Sequence, residues 1–139
     1  MKPVDLAFSQ LLGIRAAPPG SSHLLELPFA PPLHNHLGTF HAAGQFALAE
    51  AASAECLRRH FGERAGPVRA VVRRVEGKYR RPATGDLLAF GTPDEKTRDH
   101  LLDELASGRP ARAVILIDLK DRGGTLAFHG KFEWIIERI

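Results

Sequence analysis

The period of the hydrophobic positions changes several times along the chain, and each change predicts an element. Val4 to Ile14 carries apolar residues at helical spacing until Ala16-Ala17-Pro18-Pro19-Gly20 breaks the chain, which predicts a short N-terminal helix. His23 to Phe29 is a short apolar stretch of strand character, ended by Pro31-Pro32, which cannot continue a ladder. From Thr39 to about His60 there is no proline, alanine is frequent and no β-branched residue follows Thr39, so a helix is expected with Thr39 as its N-cap. Between Ala42 and Ala54 the only polar side chains are Gln45, Glu50 and Ser53. A helix apolar nearly all round is one buried within its domain.

The second half reads differently. Val68 to Tyr79 is a β-branched run in which Val71, Val72 and Val75 alternate loosely with arginines, and Gly77 is a candidate bulge. Thr84-Gly85-Asp86 turns the chain into a second strand, Leu87 to Gly91, and a hairpin between the two is expected. Thr92-Pro93-Asp94-Glu95 opens a short amphipathic helix with Thr92 as cap, and Gly108 stops it. Ala113 to Leu119 and Thr125 to Ile136 flank the turn Asp121-Arg122-Gly123-Gly124 and should pair antiparallel. About five strands grouped around one all-apolar helix argue for an α+β fold, a long central buried helix wrapped by a curved antiparallel sheet.

Composition narrows the class. With 139 residues, 44% hydrophobic and 25% charged, residues 1–139 are expected to form one globular domain. Cys56 is the only cysteine, which excludes an internal disulfide and a zinc site of several thiolates. Met1 to Leu12 does not read as a signal peptide and no apolar run approaches a membrane span, so a soluble cytoplasmic protein without membrane partners is expected. The formal charge of +3 suits an anionic ligand. Arg69, Arg73, Arg74, Lys78, Arg80 and Arg81 crowd one segment, which reads either as a solvated strand face or as a phosphate site. No aromatic interleaving accompanies these cations, so nucleic acid is not expected as a partner.

Glu50 is the anomaly in the helix. At helical spacing it shares a face with the apolar Ala43, Phe46, Ala47, Ala54 and Leu57, where a carboxylate loses hydration and its pKa rises unless donors compensate. The bland alternative is a glutamate that reaches the helix end or pairs with an arginine from the strands. Just before the helix, residues 34–41 hold His34, Asn35, His36 and His41. Imidazoles with Glu50 suit several transition metals, but the spacing fits no metal motif, and neither a metal nor a cofactor is expected. The competing reading places these polar groups at a helix N-terminus, where free N–H groups and the helix dipole favour developing negative charge and form an oxyanion hole.

The segment Asn35 to Ser53, N-H-L-G-T-F-H-A-A-G-Q-F-A-L-A-E-A-A-S, resembles the hotdog-fold thioesterases of the phenylacetyl-CoA type. These show an asparagine, then G-T-x-H-G-G, then an acid nine residues past the histidine; Asn35, Gly38, Thr39, His41 and Glu50 fit. Tyr79 to Leu87 is similar to the strand-turn-strand that follows the helix in that family. His41-Ala42-Ala43 departs from H-G-G, and glutamate replaces the commoner aspartate.

The resemblance implies a hotdog homodimer, or a dimer of such dimers, whose sites draw on both subunits and take an acyl-CoA or other acyl thioester. It implies catalytic roles for Glu50 as base or nucleophile, for the Ala42 N–H as carbonyl polariser, and for Asn35 and His41 in positioning the thioester. His36 and Gly38 are implied at the substrate, and Lys78, Arg80 or Arg81 at coenzyme A phosphates. Two rival functions share the fold: an acyl-thioester-binding protein without turnover, which Ala42-Ala43 favours, and a dehydratase using His41 and Glu50 on β-hydroxyacyl substrates.

Overall fold

The computed structural model describes all residues from Met1 to Ile139. The alanine-rich segment forms the longest helix, α2 (Ala42–Ala65). The strands β1 (Arg15–Ala16), β2 (Leu25–Leu27), β3 (Val68–Tyr79), β4 (Leu87–Pro93), β5 (Ala111–Lys120) and β6 (Leu126–Arg138) form one antiparallel sheet in the order β1-β2-β4-β5-β6-β3. Helix α2 packs across β4, β5 and β6. Alternation along β5 sends Ala111, Ala113, Ile115, Ile117 and Leu119 inward, and Phe128, Phe132, Trp134 and Ile136 of β6 join them against Leu48, Ala49, Ala52 and Cys56 of α2. Twenty-nine buried hydrophobic residues make one continuous core. This is the α+β arrangement expected, with a sixth strand at one edge.

Several local expectations change. The N-terminal helix is reduced to a 3-10 turn, Pro3–Asp5, and α1 (Ala7–Leu12). Helix α2 starts three residues past Thr39 and is capped by His41, whose Nδ1 accepts the Ala43 N–H at 3.0 Å. Thr39 is drawn instead into a loop with Asn35. Likewise α3 (Glu95–Ala106) is capped by Asp94, which accepts from the Thr97 N–H, because β4 runs on through Thr92 and Pro93.

The hairpin expected between β3 and β4 does not form. β3 buries none of its side chains fully, whereas β4 buries Leu87, Ala89 and Pro93. The place beside the helix therefore goes to β4, between β2 and β5, and β3 becomes the far edge, paired only with β6. The bulge lies at Arg73, where the register slips between Val72 and Arg74, and Gly77 pairs in register with Gly130. Both glycines make room for the Phe128 ring, since a Cβ would meet it at 2.6 Å from Gly77 and 2.8 Å from Gly130.

Candidate functional site

The face of α2 that carries Glu50 is not covered by its own sheet. Ala42, Ala43 and Phe46 are exposed, with Phe46 at 41%, and Ala47, Glu50 and Ala54 are half-buried. The helix is therefore apolar nearly all round but buried on one side only. Its open side forms the floor of a groove of about 500 Å³, walled by Ala70, Val71 and Val72 of β3, Trp134 of β6 and the N-terminal Pro3 and Phe8. Phe46 leans on Phe132, their ring centroids 5.8 Å apart.

Glu50 lies in this groove without a partner. Its carboxylate makes no hydrogen bond or ion pair within the chain, and burial raises its pKa above the ordinary glutamate value. Anchoring by a strand arginine, one form of the bland alternative, is not what the side chain does. The carboxylates that do serve as anchors are elsewhere: Glu55 holds Arg58 and Arg59, and Glu26 holds Arg15 and His23. The backbone under Glu50 is fixed from below, because Ser53 Oγ donates to the Glu50 carbonyl at 2.7 Å and accepts the buried Trp134 Nε1–H at 3.0 Å.

The start of α2 is organised by residues 33–41. Asn35 Oδ1 accepts the Leu37 and Thr39 N–H groups at 2.9 and 3.0 Å, and its Nδ2 donates to Thr39 Oγ1 at 2.7 Å. Gly38 takes φ +75°, a left-handed turn that suits glycine. The Asn35 side chain is thus committed to shaping the loop. With Nδ1 of His41 occupied by the Ala43 N–H, the ring's remaining donor is Nε2, and the ring is exposed, as is His36. At the first position of the helix the Ala42 N–H donates to no acceptor of the chain. Ala42 and Ala43 are both exposed at the surface. His34 is stacked on Phe29 at 4.0 Å and half-buried, away from His36 and His41 in role. No three His, Cys, Asp or Glu side chains are gathered as a metal site.

One residue that sequence reasoning did not single out belongs here. Tyr79, at the end of β3, donates its hydroxyl to the Ala42 carbonyl at 3.0 Å and so ties the edge strand to the helix start. Its position at the close of the Val68–Tyr79 run was visible, but the pairing over 37 residues was not.

The arginine-rich segment divides in two. Arg69, Arg73 and Arg74 pair with Glu137, Glu133 and Glu76. Lys78, Arg80 and Arg81 have no ion-pair partner and are exposed. Lys78 and Arg80 line an open polar groove with His129, Lys131 and Asp118, on the face of the sheet away from α2, and Arg81 lies outside it.

Ala42 and Glu50 are eight residues apart on one helix, which is about 12 Å along its axis. Ala42 and Glu50 therefore open on different stretches of the helix surface. Neither Asn35, His41 nor Ala42 lines the groove that holds Glu50.

Residues 13–136 match the family described as a domain of unknown function, DUF4442. No curated protein sequence matches the chain. Among solved structures, a Pseudomonas aeruginosa protein described as of unknown function and a probable thioesterase superposes with a TM-score of 0.80 at 24% identity, over 96% of this chain and 88% of that one. A Haemophilus influenzae thioesterase gives 0.70 at 18% identity, over 97% and 85%. A Bacillus halodurans protein solved with CoA gives 0.70 at 18% identity, over 93% and 74%. At these identities the likeness establishes the fold alone, the hotdog arrangement.

Proposed function

We propose that this chain, which belongs to the family described as a domain of unknown function (DUF4442), hydrolyses an acyl thioester, with acyl-CoA as its substrate and Glu50 as its base. The observation that carries this reading is Glu50 itself, an unpartnered carboxylate with a raised pKa, set in an apolar groove on the open side of the central helix. Desolvated carboxylates without a structural partner concentrate at sites of chemistry.

In the reaction proposed, the Glu50 carboxylate takes a proton from water as the oxygen attacks the thioester carbonyl. The carbonyl oxygen becomes an oxyanion that accepts from the Ala42 N–H at a helix N-terminus, where the dipole also favours negative charge. Collapse expels the thiolate, and the proton held by Glu50 passes to its sulfur. Because about 12 Å of helix separates the two groups within a chain, the Ala42 N–H is supplied by a second copy. The exposed edge strand β3 supports such a dimer, since an unpaired edge beside an apolar groove calls for cover. Tyr79, Asn35 and His41 act in this reading as positioning residues for the helix start.

Acyl-CoA is preferred to other thioesters on two grounds: the three unpaired cations Lys78, Arg80 and Arg81 suit nucleotide phosphates, and the Bacillus halodurans protein of the same fold was solved with CoA. The test is a screen of short, medium, long and aromatic acyl-CoAs, read by thiol release. Turnover that falls sharply in Glu50→Gln is expected, and binding of every acyl-CoA without turnover of any would overturn the reading.

A further inference from the structure

The groove at Glu50 has a neighbour along the same helix. A second cavity of about 300 Å³ runs between the C-terminal half of α2 and the sheet, and the two share Ala54, Ala70 and Trp134 in their walls. Eleven of its fourteen lining residues are hydrophobic, among them Leu57, Phe61, Leu101, Leu105 and Ile136. Its single charged lining side chain, that of Arg58, is already held by Glu55 through two hydrogen bonds of 2.8 and 2.7 Å. A pocket of this kind offers nothing to a polar or charged group and rewards the removal of methylenes from water.

The geometry points to this cavity as the seat of an unbranched acyl chain whose carbonyl end lies at Glu50, which makes the substrate class medium- to long-chain fatty acyl thioesters. The inference rests on the hydrolytic reading above for the identity of the carbonyl end. Its length follows from the helix that forms its floor. Glu50 and Phe61 are eleven residues apart, about 16 Å along the axis. An extended chain advances about 1.2 Å per bond, as the peptide backbone does in covering roughly 3.5 Å with three bonds, so the cavity accommodates roughly 12 to 14 carbons. An aromatic acyl group would leave most of it empty.

The test separates the channel from the chemistry. S-alkyl-CoA thioethers, which cannot be hydrolysed, are titrated calorimetrically from butyl to hexadecyl. Dodecyl-CoA should bind on the order of 10⁴-fold tighter than butyl-CoA in the wild-type protein, since eight more methylenes are buried at roughly fourfold each. Leu57→Phe, which fills the channel about 10 Å from Glu50, leaves room for roughly eight carbons and should reduce that preference to on the order of 10²-fold. Gly62→Phe is a second, gentler block: a Cβ there meets only Arg58 Cγ at 3.7 Å, and it should weaken tetradecyl-CoA while sparing octyl-CoA. An alkyl-length preference unchanged in both folded variants overturns the channel. A preference that both variants move, in a protein whose hydrolysis ignores Glu50→Gln, keeps the channel and contradicts the catalytic assignment instead.

Discussion

Replacing Glu50 by glutamine should stabilise the protein while stopping its chemistry, a pairing that a structural carboxylate would not produce. Burial without a partner raises the folded-state pKa of Glu50 above its unfolded value. A group shifted this way favours folding when protonated; that contribution is present below the unfolded pKa and is lost as pH rises through the folded one. At neutral pH the ionised side chain therefore opposes folding. Glutamine keeps the shape and removes the charge, and relief of an unpartnered half-buried charge is worth about 1 kcal/mol. For a chain of this size that raises Tm by about 3 °C. Hydrolysis should fall about 10² to 10⁴-fold, the usual worth of a positioned base. In the wild-type enzyme the rate should climb with pH through a midpoint above the ordinary glutamate value, because the carboxylate is the active form, and the variant should lose that limb. Thermal unfolding at fixed protein concentration and thiol release across pH read the two effects. A variant that melts earlier yet hydrolyses its best acyl-CoA at the wild-type rate would refute the reasoning, since it would mean that Glu50 holds the fold rather than performing the reaction.

Other outcomes follow from the same structure. Ser53→Ala strands the buried Trp134 Nε1–H and should cost about 1–3 kcal/mol in denaturant unfolding, with a reduced rate because Glu50 loses its backbone support. Asn35→Ala removes three hydrogen bonds that shape the loop before α2 and should lower kcat more than it raises KM, as expected for misplaced transition-state donors. Joint replacement of Lys78, Arg80 and Arg81 by alanine should raise KM for acyl-CoA with little change in kcat, and leave an acyl-pantetheine unaffected; steady-state kinetics on both substrates decide it.

The central helix was legible because alanine content, absence of β-branching and a lone carboxylate on an apolar face are local signals. So was the pairing of β5 with β6 across a glycine turn. Strand order was not local. Whether β3 takes the strand beside the helix or the far edge depends on how little apolar surface Val68–Tyr79 offers compared with Leu87, Ala89 and Pro93, a competition that periodicity does not rank. The cap moved from Thr39 to His41 because Asn35 claims the Thr39 side chain, and both residues are able to cap. The nearly all-apolar pattern predicts a fully enclosed helix, yet sequence does not distinguish a face covered by the chain's own sheet from one left open, as at Phe46. That Asn35, His41 and Ala42 lie outside the groove holding Glu50 was not legible in the sequence, although the spacing of Ala42 and Glu50 on the expected helix already put about 12 Å between them.

That distance makes the shared site the claim most directly open to test. Ala42→Pro removes the N–H proposed to hold the oxyanion, at a first helical position where proline is tolerated, and His41 before it already has the extended φ −61°, ψ 135° that proline requires. Neither Ala42→Pro nor Glu50→Gln should hydrolyse acyl-CoA alone. When the two are unfolded together and refolded in equal amounts, half the dimers are mixed and each holds one intact site, so activity should return to about one quarter of wild type. If each site lay within one chain, every site would carry a lesion, and a mixture as inactive as its parents would contradict the account.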